Sequence, residues 1–202
     1  MRQKLIVFVR APRIGEVKTR LAEAIGNEAA LKAYRVLVAQ LFEGLRCLPN
    51  VELRFTPDAA HAELAPWLRS AWTLRPQGEG NLGERLARAF QESFTEGCQR
   101  VLIIGSDCPA VSLADIESAW SSLLTNEVVV GPASDGGYWL IGLRGRQPGL
   151  FENVPWSTAA VLETTLTRIR DAGLTFHCLR ELTDIDTAED WEKFNRAIQR
   201  NA

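Results

Sequence analysis

Val101-Leu-Ile-Ile-Gly-Ser-Asp-Cys-Pro109 reads as a buried strand that runs directly into a chemically unusual turn. Its four consecutive apolar residues show no polar alternation, which suits a strand covered on both faces, as in a parallel sheet between helix layers. Gly105 ends the run and Pro109 fixes the exit of the chain. Asp107 therefore emerges at the carboxyl edge of a strand, where open α/β sheets hold their ligands.

Similar short runs recur at Leu5–Val9, Val51–Phe55, Trp72–Leu74, Val128–Val130, Tyr138–Leu143 and Thr175–Leu179. Longer segments of helical period separate them. Leu31, Tyr34, Val38, Leu41, Leu45 and Leu48 repeat at steps of three and four, giving one apolar stripe. Asn81 and Glu84 have the spacing of a capping box, opening a helix whose Leu82, Leu86, Phe90 and Phe94 face inward and which Gly97 ends. Ser112, Ser157 and Thr187 are expected to cap three further helices. The alternation predicts one α/β domain over residues 1–202, a three-layer α/β/α sandwich around a mostly parallel, Rossmann-like sheet. No repeat or low-complexity linker divides it.

With 46% apolar and 24% charged residues, the composition is that of an ordinary globular chain. The formal charge of −2 provides no global field for nucleic acid or an anionic membrane, so any anion site must be local. No apolar run reaches the length of a membrane span, and Leu5–Val9 is too short for a signal-peptide core, so a cytoplasmic protein is expected. Cys47, Cys98, Cys108 and Cys178 form no C-x-x-C pair and read as reduced, buried thiols.

Two segments suit a nucleotide. After the first strand, Arg10-Ala-Pro-Arg-Ile-Gly-Glu-Val-Lys-Thr-Arg20 brings Arg10, Arg13, Lys18 and Arg20 together and enters a helix at about Thr19. Guanidinium forks, a lysine and free helix-start N–H groups match phosphate oxygens, and Gly15 allows close backbone approach. A solvated basic loop is the alternative, since the segment lacks both the P-loop and the Rossmann glycine pattern. After the third strand, Gln77-Gly-Glu-Gly-Asn-Leu-Gly-Glu84 can lie flat against a base or ribose, with Gln77, Gly80, Asn81 and Gly83 as candidate contacts. A plain turn before a helix is the competing reading.

Asp107 can bind Mg²⁺ or Mn²⁺, hard ions that share their sites between carboxylates, water and phosphate. A second acidic pair, Asp184-Ile-Asp186, follows the last strand, and two such sites can flank one ion. Asp186, directly before Thr187, is the preferred second ligand over Asp184, although acidic residues near a helix start also have an electrostatic explanation. Gly131-Pro-Ala-Ser-Asp-Gly-Gly-Tyr-Trp139 reads first as a hairpin turn. Its Asp135, Gly136, Gly137, Tyr138 and Trp139, closed by Trp156, also form a candidate pocket for an acceptor or sugar. His61 and His177 have no partner at useful spacing. Nucleophile elbow, zinc and dinucleotide motifs are all missing from the sequence.

In order along the chain, Gly-Glu-Val-Lys-Thr-Arg-Leu at 15–21, Asn-Leu-Gly-Glu-Arg at 81–85, Gly-Ser-Asp-Cys-Pro at 105–109, Gly-Pro-Ala-Ser-Asp-Gly-Gly-Tyr at 131–138, Trp156-Ser157 and Asp184-Ile-Asp-Thr187 resemble one bacterial family. It is the radical-SAM/selenodomain-associated transferases of GT-A, nucleotide-diphospho-sugar transferase fold. More distantly, Lys18-Thr-Arg-Leu21 resembles 2-phospholactate guanylyltransferases, and Asp186-Thr-Ala-Glu-Asp190 is similar to the closing motif of sugar-acid cytidylyltransferases. The resemblance implies metal roles for Asp107 and Asp186. The Arg10–Gly15 segment departs from the glycine-rich first loop of many sugar nucleotidyltransferases.

The expected chemistry is nucleotidyl transfer from an NTP to a phosphorylated small-molecule acceptor, with Lys18, Arg20 and Asp107 as catalytic residues. Such a reaction needs positioning and electrostatics rather than a protein nucleophile. Glycosyl transfer from a nucleotide sugar is the alternative, and a non-catalytic nucleotide sensor the third possibility.

Overall fold

The computed structural model describes residues 2–201, with side chains through Ile198. The chain runs β1 (Gln3–Arg10), α1 (Thr19–Ile25), α2 (Asn27–Gly44), β2 (Val51–Thr56), α3 (His61–Leu64), β3 (Thr73–Pro76), α4 (Leu82–Thr95), β4 (Arg100–Gly105), α5 (Leu113–Ser122), β5 (Val128–Pro132), β6 (Tyr138–Leu143), α6 (Val161–Asp171), β7 (Phe176–Cys178) and α7 (Ala188–Asn201). Seven strands form one sheet in the order β3-β2-β1-β4-β6-β5-β7. Only β6 runs against its neighbours, pairing antiparallel with β4 and β5.

The unbroken apolar runs have the cause anticipated for them. Leu5, Val7 and Val9 of β1 point into a core with α2 and α5, while Ile6 and Phe8 point into a second core with α4 and α6. The central strands thus need apolar residues on both faces, while the edge strands β3 and β7 are more exposed. A smaller cluster around Leu21, Ala30 and Ala33 joins α1 to α2, with Ala188 and Trp191 of α7 packed on it.

Of the four capping expectations, three are met and one is not. Asn81 and Glu84 exchange hydrogen bonds as a capping box on α4. Ser112 does so with Asp115 on α5, and Thr187 with Asp190 before α7. Ser157 does not cap α6: the N-cap is Ala160, and Ser157 sits three residues earlier with φ 64°. Leu82, expected in the core, is exposed because it is the first residue of α4 and points over the cleft described below. β3 begins at Thr73 because Trp72 leaves the strand line to pack under Phe42, with its indole N–H bonded to the Leu48 carbonyl. Cys98 and Cys108 are buried, but Cys47 and Cys178 are exposed, since they lie past the end of α2 and on the edge strand β7. Among the described residues no helix is long and apolar enough to cross a membrane.

Because β1, β2, β3, β4, β5 and β7 are mutually parallel, their carboxyl ends share one edge. The connection between β5 and β6 turns at that same edge. The segments singled out in the sequence follow strands ending there, except Trp156-Ser157, which comes after the antiparallel β6 and returns to this edge.

Candidate active site

Along this edge lies a cleft of ≈ 670 Å³, lined by Arg10, Lys18, Arg20, Gln77, Gly80, Asn81, Arg85, Asp107, Trp156 and Asp186, among others. Its centre is an ionic cluster. Lys18 Nζ lies 2.7 Å from Asp107 Oδ1 and 3.0 Å from Asp186 Oδ1, and the lysine side chain is only 3% exposed. Arg20 Nη1 stands 3.7 Å from Asp186 Oδ2 on the solvent side. Residues separated by 168 positions, Lys18 and Asp186, are therefore bonded directly.

Each partner is placed by backbone bonds. Lys18 is the N-cap of α1 and holds a left-handed conformation, φ 48° and ψ 48°. The segment after β7 is fastened to β5 by Leu182 N–H to Pro132 O and Ser134 N–H to Leu182 O. It then crosses the turn after β4, where Ile185 N–H donates to Asp107 O at 3.2 Å. Arg180 clamps the same segment from below: its Nε and Nη2 bind both oxygens of Asp115 at 2.7 and 2.8 Å, and Nη2 also reaches Ala110 O. This guanidinium holds the Asp115 carboxyl down at about 2, against the opposing effect of burial.

Tyr34 supports the cluster from α2. Its hydroxyl donates to Arg10 O at 3.0 Å, accepts from Arg10 N–H at 2.9 Å, and lies 3.4 Å from Ser106 Oγ. The residue is 2% exposed, and burial pushes the phenol up to about 12. One side chain thus ties the end of β1 to the residue before Asp107. In the sequence Tyr34 is one member of an apolar stripe; the sole clue to its role is a hydroxyl at a position where Leu or Phe would serve.

The electrostatics follow from this geometry. Burial pulls the Lys18 ammonium down, but Asp107 and Asp186 outweigh it, and the net shift is upward. Asp184 lies just inside the cluster, and its Oδ1 is buried without a hydrogen-bond partner. Burial first, then the charges of Asp107 and Asp135, raise its carboxyl to about 7. Among the described residues no three His, Cys, Asp or Glu side chains are already gathered as a metal-holding set; the Lys18 ammonium stands between two of the carboxylates.

The remaining expected contacts divide. Gln77 reaches the cleft wall, but its amide is committed inside the fold: Nε2 donates to Val9 O and Arg54 O, and Oε1 accepts from Arg85 Nη1. Arg85, one turn into α4, is the cleft cation that sequence reading passed over, although it closes the Asn-Leu-Gly-Glu-Arg stretch. Asn81 is at the rim, with Oδ1 engaged as the cap of α4. Gly80, with φ 104°, lies beside it. Gly83 faces away from the cleft centre, where a Cβ would come within 2.5 Å of Phe151 O and 2.8 Å of Trp156 Nε1. Gly83 is thus a close-packing glycine that seats Trp156.

Arg13 and Gly15 do not join the cleft lining. Arg13 is turned to Glu63, with Nη2 to Oε1 at 2.7 Å, because the chain rises past Pro12 toward α3 before returning to Lys18. Gly15 supplies the φ 77° bend of that excursion. The segment from Gly131 to Trp139 is the hairpin turn between β5 and β6, with Gly137 N–H on Asp135 Oδ1. Gly136 packs on Ala159, where a Cβ would meet its carbonyl oxygen at 2.3 Å. Trp139 is no pocket wall; it is 3% exposed in the core, its indole N–H bonded to Arg180 O. Tyr138 lies under Trp156, ring centroids 6.4 Å apart at 82°. Of the expected acceptor pocket, only Trp156 reaches the cleft.

The chain has the nucleotide-diphospho-sugar transferase fold, with helices on both faces of a seven-stranded, mostly parallel sheet. It belongs to the family described as an uncharacterized protein conserved in bacteria, DUF2064, whose profile matches residues 45–158. A crystal structure from Desulfovibrio desulfuricans G20, provisionally described as a nucleotide-diphospho-sugar transferase, is 33% identical, with TM-score 0.90 over 98% of this chain and 88% of that one. More remote likenesses concern the fold alone. They include CMP:2-keto-3-deoxy-manno-octonic acid synthetase complexed with CTP, at TM-score 0.64 and 9% identity over the whole of both chains. Another is Rv0371c of Mycobacterium tuberculosis H37Rv in complex with manganese, at TM-score 0.52 and 13% identity over 98% of this chain and 100% of that one. No curated protein matches the sequence.

Proposed function

We propose that the chain is a divalent-metal-dependent nucleotidyltransferase. The observation that carries the reading is the meeting of Lys18, Asp107 and Asp186 at the carboxyl edge of the sheet, with Arg10, Arg20 and Arg85 around the same cleft. The donor set fits a hard cation. Two partly exposed carboxylates already converge on one positive charge, the Lys18 ammonium, and a third, Asp184, keeps a buried oxygen without a partner. Asp107 and Asp186 would hold Mg²⁺ or Mn²⁺, with Asp184 behind them. When bound, the ion supplies charge neutralisation on the triphosphate.

This chain's own residues do the rest. Lys18 and Arg20 stabilise negative charge on the phosphates, and Arg85, aimed by Gln77, supplies a further guanidinium from α4. The phosphate oxygen of the acceptor attacks the α-phosphorus of the NTP. The bond from that phosphorus to the oxygen bridging to the β-phosphate breaks, and pyrophosphate leaves. No nucleophilic side chain is required, in keeping with a cleft that offers cations and carboxylates but no activated Ser or Cys: burial drives the nearby Cys108 thiol up to about 12. The CTP bound by the fold neighbour and the manganese of the other support nucleotide and metal as ligands here.

Glycosyl transfer is the second reading, favoured by the description of the 33% identical relative. Product analysis separates the two. Incubation with Mg²⁺, the four NTPs and a panel of phosphorylated acceptors should release pyrophosphate. Release of nucleoside diphosphate from nucleotide sugars would establish the alternative instead, and nucleotide binding with neither product would point to a sensor.

A further inference from the structure

The occupant of the Asp107–Asp186 position is a side chain of the protein itself. Lys18 Nζ lies within 3.0 Å of both carboxylates and is far less exposed, 3% against 50% and 36%. Its backbone is held at φ 48°, in the left-handed region that a lysine rarely adopts, so the surrounding structure fixes this placement. The proposed metal role would give the same two carboxylates, Asp107 and Asp186, to a divalent ion. A divalent ion needs its carboxylate oxygens at ~2.1 Å, and an ammonium bonded to those oxygens competes for both their lone pairs and their charge. Two cations held at the same carboxylate pair repel one another across a short, poorly solvated distance.

We propose that Lys18 is a built-in counter-cation that excludes the divalent ion until nucleotide is present, so that ion and nucleotide enter together. Charge balance around a buried ammonium requires this coupling. Ion entry alone would strip Lys18 of Asp107 and Asp186 and leave it beside a second, doubly charged cation in a poorly solvated place. Tyr34 of α2 is already committed to Arg10 and Ser106 and offers no anion, and Asp184, the remaining carboxylate of the cluster, forms no ion pair with Lys18 and would itself be drawn toward the ion. A triphosphate does: its oxygens accept the displaced ammonium while its own charge draws the ion to the vacated carboxylates. The two ligands are thereby coupled, and by linkage the coupling is reciprocal. Arg20 provides the comparison. It also faces Asp186, but at 3.7 Å, on one oxygen only and largely in solvent, so it adds positive charge without blocking the position.

The proposal depends on the metal reading, and the test keeps the two apart. Mn²⁺ binding is followed by the electron paramagnetic resonance signal of free Mn²⁺, without nucleotide and with an α,β-methylene NTP that cannot turn over. The proteins are wild type, Lys18→Met, Lys18→Gln and Arg20→Gln, each first checked for a cooperative thermal transition. Using both Lys18 variants guards against one that fails to fold. Without nucleotide, the Lys18 variants should bind Mn²⁺ at least about tenfold more tightly than wild type, and Arg20→Gln should stay within about threefold. Nucleotide should tighten Mn²⁺ on wild type much more than on the Lys18 variants, while the same variants bind nucleotide more weakly. Unchanged or weaker Mn²⁺ binding on losing Lys18, or an equal gain in Arg20→Gln, overturns the exclusion role even if wild type binds Mn²⁺ with nucleotide normally. If wild type binds no Mn²⁺ even with nucleotide, both the exclusion and the metal reading fall.

Discussion

Tyr34→Phe removes one oxygen atom and tests how the two halves of the site are joined. The ring fits the same space, so the change isolates the hydroxyl. In the native protein that hydroxyl bonds both the N–H and the C=O of Arg10 and lies beside Ser106 Oγ, one residue from Asp107. Losing an ordinary hydrogen bond costs about 0.5–1.5 kcal/mol net, and leaving a buried polar partner unsatisfied adds about 1–3 kcal/mol. Arg10 N–H is only partly buried, so the lower part of that second range applies, and the sum is roughly 2–3 kcal/mol. For a chain of this size that corresponds to a fall in Tm of roughly 5–10 °C. Urea unfolding followed by tryptophan fluorescence measures it, with the midpoint shifting and the slope unchanged. Since the bond also fixes the turn carrying Asp107, nucleotide affinity should drop together with stability. A loss below about 0.5 kcal/mol would refute the claim that Tyr34 is the tie between β1 and the Asp107 turn.

Gly83→Ala drives a methyl group against Phe151 O and the Trp156 indole; it should cost about 1–3 kcal/mol by denaturant titration and weaken nucleotide binding through displaced Trp156. Arg85→Ala should reduce nucleotide affinity by roughly tenfold or more in calorimetry, with Arg85→Lys recovering only part, because a lysine cannot reproduce the fork that Gln77 aims. Asp115→Asn breaks the clamp to Arg180. The Asp115 carboxyl is depressed in the folded protein, so its contribution is fully present above about pH 4 and is lost as pH falls through about 2. The variant should therefore be about 1–2 kcal/mol less stable than wild type at pH 7, a figure reduced for the half-exposed Arg180, and the gap should close on acidification. A gap that widens toward pH 3 would contradict the sign.

The sheet was legible because its central strands are buried on two faces, and the resulting runs, such as Val101–Ile104, resemble nothing else in the chain, whereas the edge strands β3 and β7 are more exposed. Capping pairs were legible where side chain and backbone bond locally, as at Asn81 with Glu84. Ser157 misled because a serine before a helical period looks the same whether or not the chain has yet turned into the helix. The meeting of Lys18, Asp107 and Asp186 could be anticipated from topology alone, since parallel strands bring all their exits to one edge. The fates of Arg13 and Gln77 could not: a guanidinium that turns to Glu63 and an amide bonded to two strand carbonyls depend on packing between distant segments. The αL backbone of Lys18, which aims its side chain inward, likewise leaves no trace in composition.

The central claim is that Asp107 and Asp186 serve metal-assisted nucleotide binding opposite the basic cleft wall. Isothermal titration of the four NTPs into wild type and Asp107→Asn, each with Mn²⁺ and with chelator, tests it most directly. At least one NTP should bind wild type more tightly with Mn²⁺, and that metal-dependent gain should disappear in Asp107→Asn. Equal affinity with and without metal, or an undiminished gain in the variant, would contradict the account.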